Sequence, residues 1–214
     1  MAGKITTNSV VLGDSITDTQ NFVLKTNADG TATLARGALG GLGTVLTVDA
    51  SSNVTLQKNI SVGGATPSAS GSGITFPATQ SASSDANTLD DYEEGTFTPT
   101  LNFGGASVGI VYTFQQARYT KVGNVVTVQI YIALSSKGTS VGHAGVSALP
   151  FASSATLNSQ IYTAQGDTLN TFLAYLPGTG STALQLYTAA TTSQITNTSF
   201  TGGDNLRFTI MYLV

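Results

Sequence analysis

Three features predict an all-β chain: a composition that favours strands, an internal repeat whose copies each have the form of a hairpin, and alternating apolar runs closed by a two-residue Gly-Asn turn. Of the 214 residues, 41% are apolar and 9% charged, where an average soluble protein is about 25% charged. Thr, Ser, Asn, Gln and 24 Gly carry most of the polarity, and Thr mixed with Val favours half-buried strands over helices. A surface so poor in charge predicts a large obligate interface with other chains.

The earliest strands are predicted by the repeat. Leu24, Asn27, Ala28, Thr33 and Leu34 are answered 22 positions later by Leu46, Asp49, Ala50, Thr55 and Leu56. Residues 27–30 supply the turn of the first copy and residues 49–53 that of the second, since Asn, Asp and Gly tolerate left-handed conformations. Two hairpins joined by the glycine-rich residues 37–43 cannot enclose a core, and a lone hairpin is marginal in water. They call for neighbouring chains, as in a narrow three-chain stalk, or for packing as a small meander on the rest of the protein.

A boundary is expected near residue 90. Residues 65–84 are rich in Pro, Ser and Gly, and the charge changes sign beyond them. Residues 1–94 hold four cations against nine acids, a net −5, whereas residues 95–214 set Arg118, Lys121, Lys137 and Arg207 against Asp167 and Asp204, a net +2. In this second part strands are predicted at 96–101, 110–112, 117–122, 125–132, 171–175, 183–187 and 205–214. Gly123 and Asn124 form the tight turn between two of them, Gly accepting the positive φ that such turns demand. Short strands punctuated by Gly, Ser and Asn predict an antiparallel β-sandwich of jelly-roll type. The last strand, Leu206 to Val214, is strongly apolar and is expected at the centre of the sandwich or in a subunit interface.

Composition also excludes several functions. Without Cys there is no disulfide framework, thiol nucleophile or Cys-ligated zinc. No run of about 18 apolar residues offers a membrane span, and the first residues lack the apolar core of a signal peptide, so synthesis in the cytoplasm without membrane insertion is expected. A net charge of −3 gives no electrostatic footprint for nucleic acid.

At the boundary stand Asp85, Ala86, Asn87, Thr88, Leu89, Asp90, Asp91, Tyr92, Glu93, Glu94, Gly95, Thr96, Phe97, Thr98 and Pro99. This segment resembles one found in bacteriophage tail-fibre and receptor-binding proteins, where it precedes the C-terminal domain. The likeness extends through phrases such as Ala35-Arg36-Gly37, Ile74-Thr75-Phe76-Pro77 and Arg118-Tyr119-Thr120-Lys121-Val122-Gly123-Asn124, over much of residues 20–135. The resemblance implies an intertwined homotrimer in the virion, made in the host cytoplasm. Residues 1–20 would attach to other virion proteins, 21–92 would form a trimeric β-stalk and linker, and 93–214 a β-sandwich tip. The tip would contact a glycan or protein of the host surface. A head fibre, a capsid decoration or a purely structural tail protein would carry the same phrases.

Residues able to carry chemistry are few. Gly13, Asp14 and Ser15 after an apolar run match the nucleophile block of SGNH-type esterases, which also need an oxyanion Asn block and a late Asp-x-x-His. The single histidine, His143, stands in a glycine-rich stretch with Ser140, so Ser15 lacks a positioned base. The acids Asp85, Asp90, Asp91, Glu93 and Glu94 lack the spacing of a cation loop and are expected as a solvated connector, with Asp85 or Asn87 capping a helical turn that Gly95 ends. Glu93 and Glu94 are adjacent, which puts them on opposite faces of a strand and argues against a glycosidase pair. No catalytic residue, metal ligand or cofactor is therefore predicted. For receptor binding the candidates are Tyr162, Phe172, Tyr175 and Tyr187, aromatics beside many hydroxyls and amides that can stack on sugar faces. Each has core packing as its competing role, since aromatics dominate cores.

Overall fold

Strands supply the regular structure of both units into which the chain divides, residues 1–79 and 80–214. The computed structural model describes residues 9–12, 22–26, 28–36, 43–57, 59–68, 70–81, 83–154, 160–166, 170–177 and 180–214. Among them the one helical element is a 3-10 turn at Asn197–Ser199, and no helix is long and apolar enough to cross a membrane. The protein is thus all-β, and its large sheets are antiparallel.

In the first unit β1 (Ser9–Leu12), β2 (Phe22–Thr26), β3 (Ala32–Arg36), β4 (Gly43–Val48) and β5 (Val54–Leu56) form a five-stranded meander in sequence order. The repeat is its middle: one copy is β2 and β3, the other β4 and β5. Pairing of Thr26 with Ala32 and of Val48 with Val54 leaves residues 28–31 and 49–53 as loops. Equivalent positions Gly30 and Ser52 both turn left-handed, with φ of 84° and 67°. The acids differ. Asp29 accepts from the Thr31 amide at 3.0 Å, whereas Asp49 accepts from the amides of Ser51 and Asn53 at 2.8 and 2.9 Å. These hydrogen bonds hold both carboxyls below their ordinary range, from the Thr31 amide for Asp29 and chiefly from the Asn53 side chain for Asp49.

The repeat also sets a ladder. Leu24 pairs with Leu34, Leu34 with Leu46 and Leu46 with Leu56, so four leucines line one row across four strands. The next row on that face is Thr26, Ala32, Val48 and Val54, while the opposite face carries a row of Thr33, Thr47 and Thr55. Leucines thus share one side of the sheet and threonines the other, where register also places Lys25 in the threonine row and Ala35 in the next. Leu24, Val54 and Leu56 remain 52%, 60% and 40% exposed. Below residue 80, Ala35 alone is buried among the residues whose side chains are described. After the meander, β6 (Ile60–Ser61) and β7 (Ile74–Thr75) make a two-residue parallel pair, its loop tied by the Asn59 amide donating to the Ser68 carbonyl at 2.8 Å.

The second unit begins at residue 80, inside the Pro/Ser/Gly-rich stretch and ahead of the expected boundary, because the acidic segment is bonded to the strands on its C-terminal side. Its strands are β8 (Tyr92–Phe97), β9 (Thr100–Phe103), β10 (Ile110–Val122), β11 (Val125–Lys137), β12 (Ala144–Ser147), β13 (Gln160–Gly166), β14 (Asn170–Leu176), β15 (Leu184–Thr188) and β16 (Asn205–Leu213). They form one hydrogen-bonded sheet in the order β8-β10-β11-β16-β13-β14-β15-β12-β9. The two strands at its ends are consecutive in the chain, and residues from both arms, among them Leu101, Phe103, Val128, Ile132, Leu186 and Ile210, pack into one core. β16 lies between β11 and β13, the internal position expected of the apolar final strand.

Period-two burial decides which side chains face outward. Along β16 Leu206, Phe208, Ile210 and Tyr212 are buried, while Arg207, Thr209 and Met211 are exposed. The Gly123-Asn124 turn is as predicted, with Val122 paired to Val125 and Gly123 at φ 55°. Where two short strands were expected at 110–112 and 117–122, β10 runs unbroken for 13 residues. Its register slips on either side of Tyr112. These irregularities reverse the alternation. The Tyr112 hydroxyl turns in to meet the Leu101 amide at 3.1 Å, and Phe114 stays outside at 39% exposure.

Candidate functional site

The acidic segment is a fastening rather than a solvated connector. Asp91 is 1% exposed and ion-paired to Lys121, itself 6% exposed, and the Lys121 ammonium lies 3.6 Å from Glu93 and 5.5 Å from the centroid of Phe151. Burial pulls the Lys121 ammonium below its usual range, with the Asp90 carboxylate pulling it back up. Asp90 accepts from the Ser83 amide at 2.7 Å, which lowers its own pKa. The Asp85 carboxylate accepts from the Asn87 amide at 2.9 Å in an Asx turn with no helix. Gly95 therefore ends no helical turn: it sits within β8 opposite Tyr119, whose ring lies where a Cβ would come within 2.8 Å. Any side chain there would have to displace the tyrosine ring that covers the backbone.

The catalytic candidates are described only in part. Ser15 and Asp167 lie outside the described residues. His143 is exposed, and Ser140 is buried with its hydroxyl accepting from the Val108 amide at 2.8 Å. Asp204 is buried and accepts from the Thr201 amide and hydroxyl at 2.6 and 2.9 Å, closing the turn before β16. Glu94 accepts from the Tyr92 hydroxyl at 2.8 Å. Among the described residues no three His, Asp or Glu side chains gather as a metal site.

The four aromatic candidates separate. Phe172 is wholly buried, edge-on to Phe208 with ring centroids 5.4 Å apart, so it is a core residue and not a surface contact. Tyr175 and Tyr187 are half-buried and face away from the core, their rings edge-to-face at 5.7 Å. The Tyr187 hydroxyl donates to Gln185 at 2.9 Å and accepts from Gln194 at 3.0 Å. Tyr162 lies in β13 opposite Ala174.

A richer surface lies on the other arm, on the outward face of β8, β10, β11 and β16. Register places Thr96, Arg118, Gln129 and Thr209 in one cross-strand row and Gln116, Tyr131 and Arg207 in the next. The Tyr131 ring is flanked by Phe114 at 4.5 Å between centroids and by the Arg207 guanidinium at 4.1 Å. Together they line an open recess of about 970 Å³, near the upper end of ordinary ligand sites. Two guanidinium groups, two amides, hydroxyls and an aromatic pair can hydrogen-bond and stack. No general base stands among these lining residues.

Sequence reasoning missed this face. The Gly123-Asn124 turn alone fixes Arg118 opposite Gln129, but the third strand, β16, comes from more than 70 residues downstream, and no local pattern gives its register. No protein-family model, curated protein or solved structure matches the chain.

Proposed function

We propose that the chain is a non-enzymatic component of a bacteriophage virion, a homotrimeric tail fibre. Residues 1–20 attach to other virion proteins, the meander unit builds a three-chain stalk, and the second unit is a β-sandwich tip that contacts the host cell surface. The observation that carries this is the two-faced meander. Among its described side chains this sheet buries only Ala35, and a sheet with a leucine row on one side is stabilised when like sheets bury that side together. The likeness of residues 85–99 to the tail-fibre junction supports the same assignment, as does a composition with 9% charge. Several weak tip contacts per fibre would add up to firm attachment without catalysis.

Light scattering on the intact chain and on residues 80–214 tests the proposal. The expected result is a mass of three chains for the intact protein and a smaller assembly for the shortened one. A monomeric intact chain overturns it.

A further inference from the structure

We propose that the outward face of β8, β10, β11 and β16 is a second contact between copies of this chain, each copy presenting the same face to the next. The inference rests on the homotrimeric assignment above and adds to the meander a contact made by the second unit.

The solvated face of an antiparallel sheet normally carries polar side chains, in alternation with the apolar ones that face the core. Here the cross-strand row nearest the Gly123-Asn124 turn is Tyr92, Val122, Val125 and Leu213, and Met211 stands in the next row, 52% exposed. At the far end of the same face Phe114 is exposed beside Tyr131, with 4.5 Å between ring centroids. From the first row to Phe114 the outward positions hold no Lys and no Asp. Aromatics, Met and Arg without Lys or Asp are the composition of a protein interface rather than of a free surface.

The charges choose the partner. Glu94 and Arg118 lie in adjacent rows on neighbouring strands, both exposed, and no ion pair joins them among the described residues. The acid and the base belong to one face, so each copy's Glu94 can receive the Arg118 of a neighbour that presents the same face. Four strands by five rows, at ordinary strand spacing and rise, cover roughly 600 Å² per copy. A standard interface takes about 800 Å² from each partner, so this contact completes an assembly that other contacts begin. Two contacts on one chain reinforce each other, because the first holds the second at high local concentration.

The test uses single thiols, which the chain does not naturally contain. Met211→Cys and Ala190→Cys, the latter exposed in the turn after β15, are labelled with a maleimide in the full-length assembled protein and again after unfolding in urea. Met211 is half exposed within one chain, so in purified protein only another copy can shield it. The thiol at 211 is expected to react at least about tenfold more slowly than the one at 190 in the assembly, and at the same rate in urea. Glu94→Arg and Arg118→Glu are each expected to raise the concentration at which the assembly dissociates by about tenfold, and the double variant to restore it. Equal labelling of the two thiols in the assembly overturns the inference and marks the face as open to a host ligand. So do charge reversals without effect, or without rescue in the double variant. Light scattering on the same samples separates the two claims: a trimer fully labelled at 211 sinks this inference alone, and a shielded face in an assembly of two copies sinks the homotrimer alone.

Discussion

The two units use the same antiparallel pairing and differ in what lies behind it. In the second unit nine strands wrap around one core, and leucines, isoleucines and aromatics from both arms are buried against each other. In the first, five strands place leucines side by side along one face of a single layer, with Leu24, Val54 and Leu56 still exposed. Hydrogen-bonded strands alone do not make a stable domain; the second layer does.

Truncating one large apolar side chain in each unit is the sharpest way to break this comparison. Phe172→Ala is expected to destabilise by about 3–5 kcal/mol in chemical denaturation, at every protein concentration. Leu24→Ala should instead lower the mass of the assembly and make unfolding of the first unit depend on concentration. A concentration-independent loss of several kcal/mol on Leu24→Ala would show that the meander has a core of its own.

Asp91→Ala leaves the buried Lys121 with only the more distant Glu93 carboxylate at 3.6 Å and is expected to cost up to about 3 kcal/mol, read as a lower denaturation midpoint of the second unit. A loss near zero would return the acidic segment to a solvated connector.

The pH response should also belong to the second unit. The Tyr212 hydroxyl is wholly buried, donates to the Phe151 carbonyl at 3.1 Å, and burial pushes its pKa up to about 12. The fold holds this proton more tightly than the unfolded chain does. Its contribution is intact below about pH 10 and is lost as pH rises toward 12, by about 2.7 kcal/mol for two pKa units. Denaturation midpoints from pH 9 to 12 should fall for the natural protein and fall less for Tyr212→Phe.

The smallest effect concerns the repeat. Gly30 and Ser52 share a left-handed position, and only one of them is glycine. Ser52→Gly should relieve backbone strain and stabilise the first unit by about 0.5–1 kcal/mol, seen as a modest rise in its thermal midpoint.

Local signals made the first unit and the long hairpin legible. Asn, Asp and Gly at the turns mark where the chain reverses, and the 22-residue repeat carries the register with it. β12 and β13 were missed because Ala144–Ser147 is short and glycine-bearing and Gln160–Gly166 mixes polar and apolar residues without clean alternation. Of the candidate binding residues, Tyr175 and Tyr187 face outward and Phe172 inward, a choice set by a strand's phase relative to the core. The recess was illegible for the same reason: Arg118, Tyr131 and Arg207 meet only through pairings distant in sequence and a slip in β10.

The central place of β16 dictates an order of events during synthesis. β11 leaves the ribosome 72 to 88 residues ahead of the partners it will pair with, Ala133 waiting for Asn205 and Val125 for Leu213. At ordinary elongation speeds that is a delay on the order of 4–18 s. Through that interval the nascent sheet has an open edge where its middle will be, the kind of edge that invites pairing with another chain. The leucine row of the meander emerges earlier still. A polysome making this protein therefore holds both surfaces open at once, and correct folding depends on the second unit closing before neighbouring nascent chains meet.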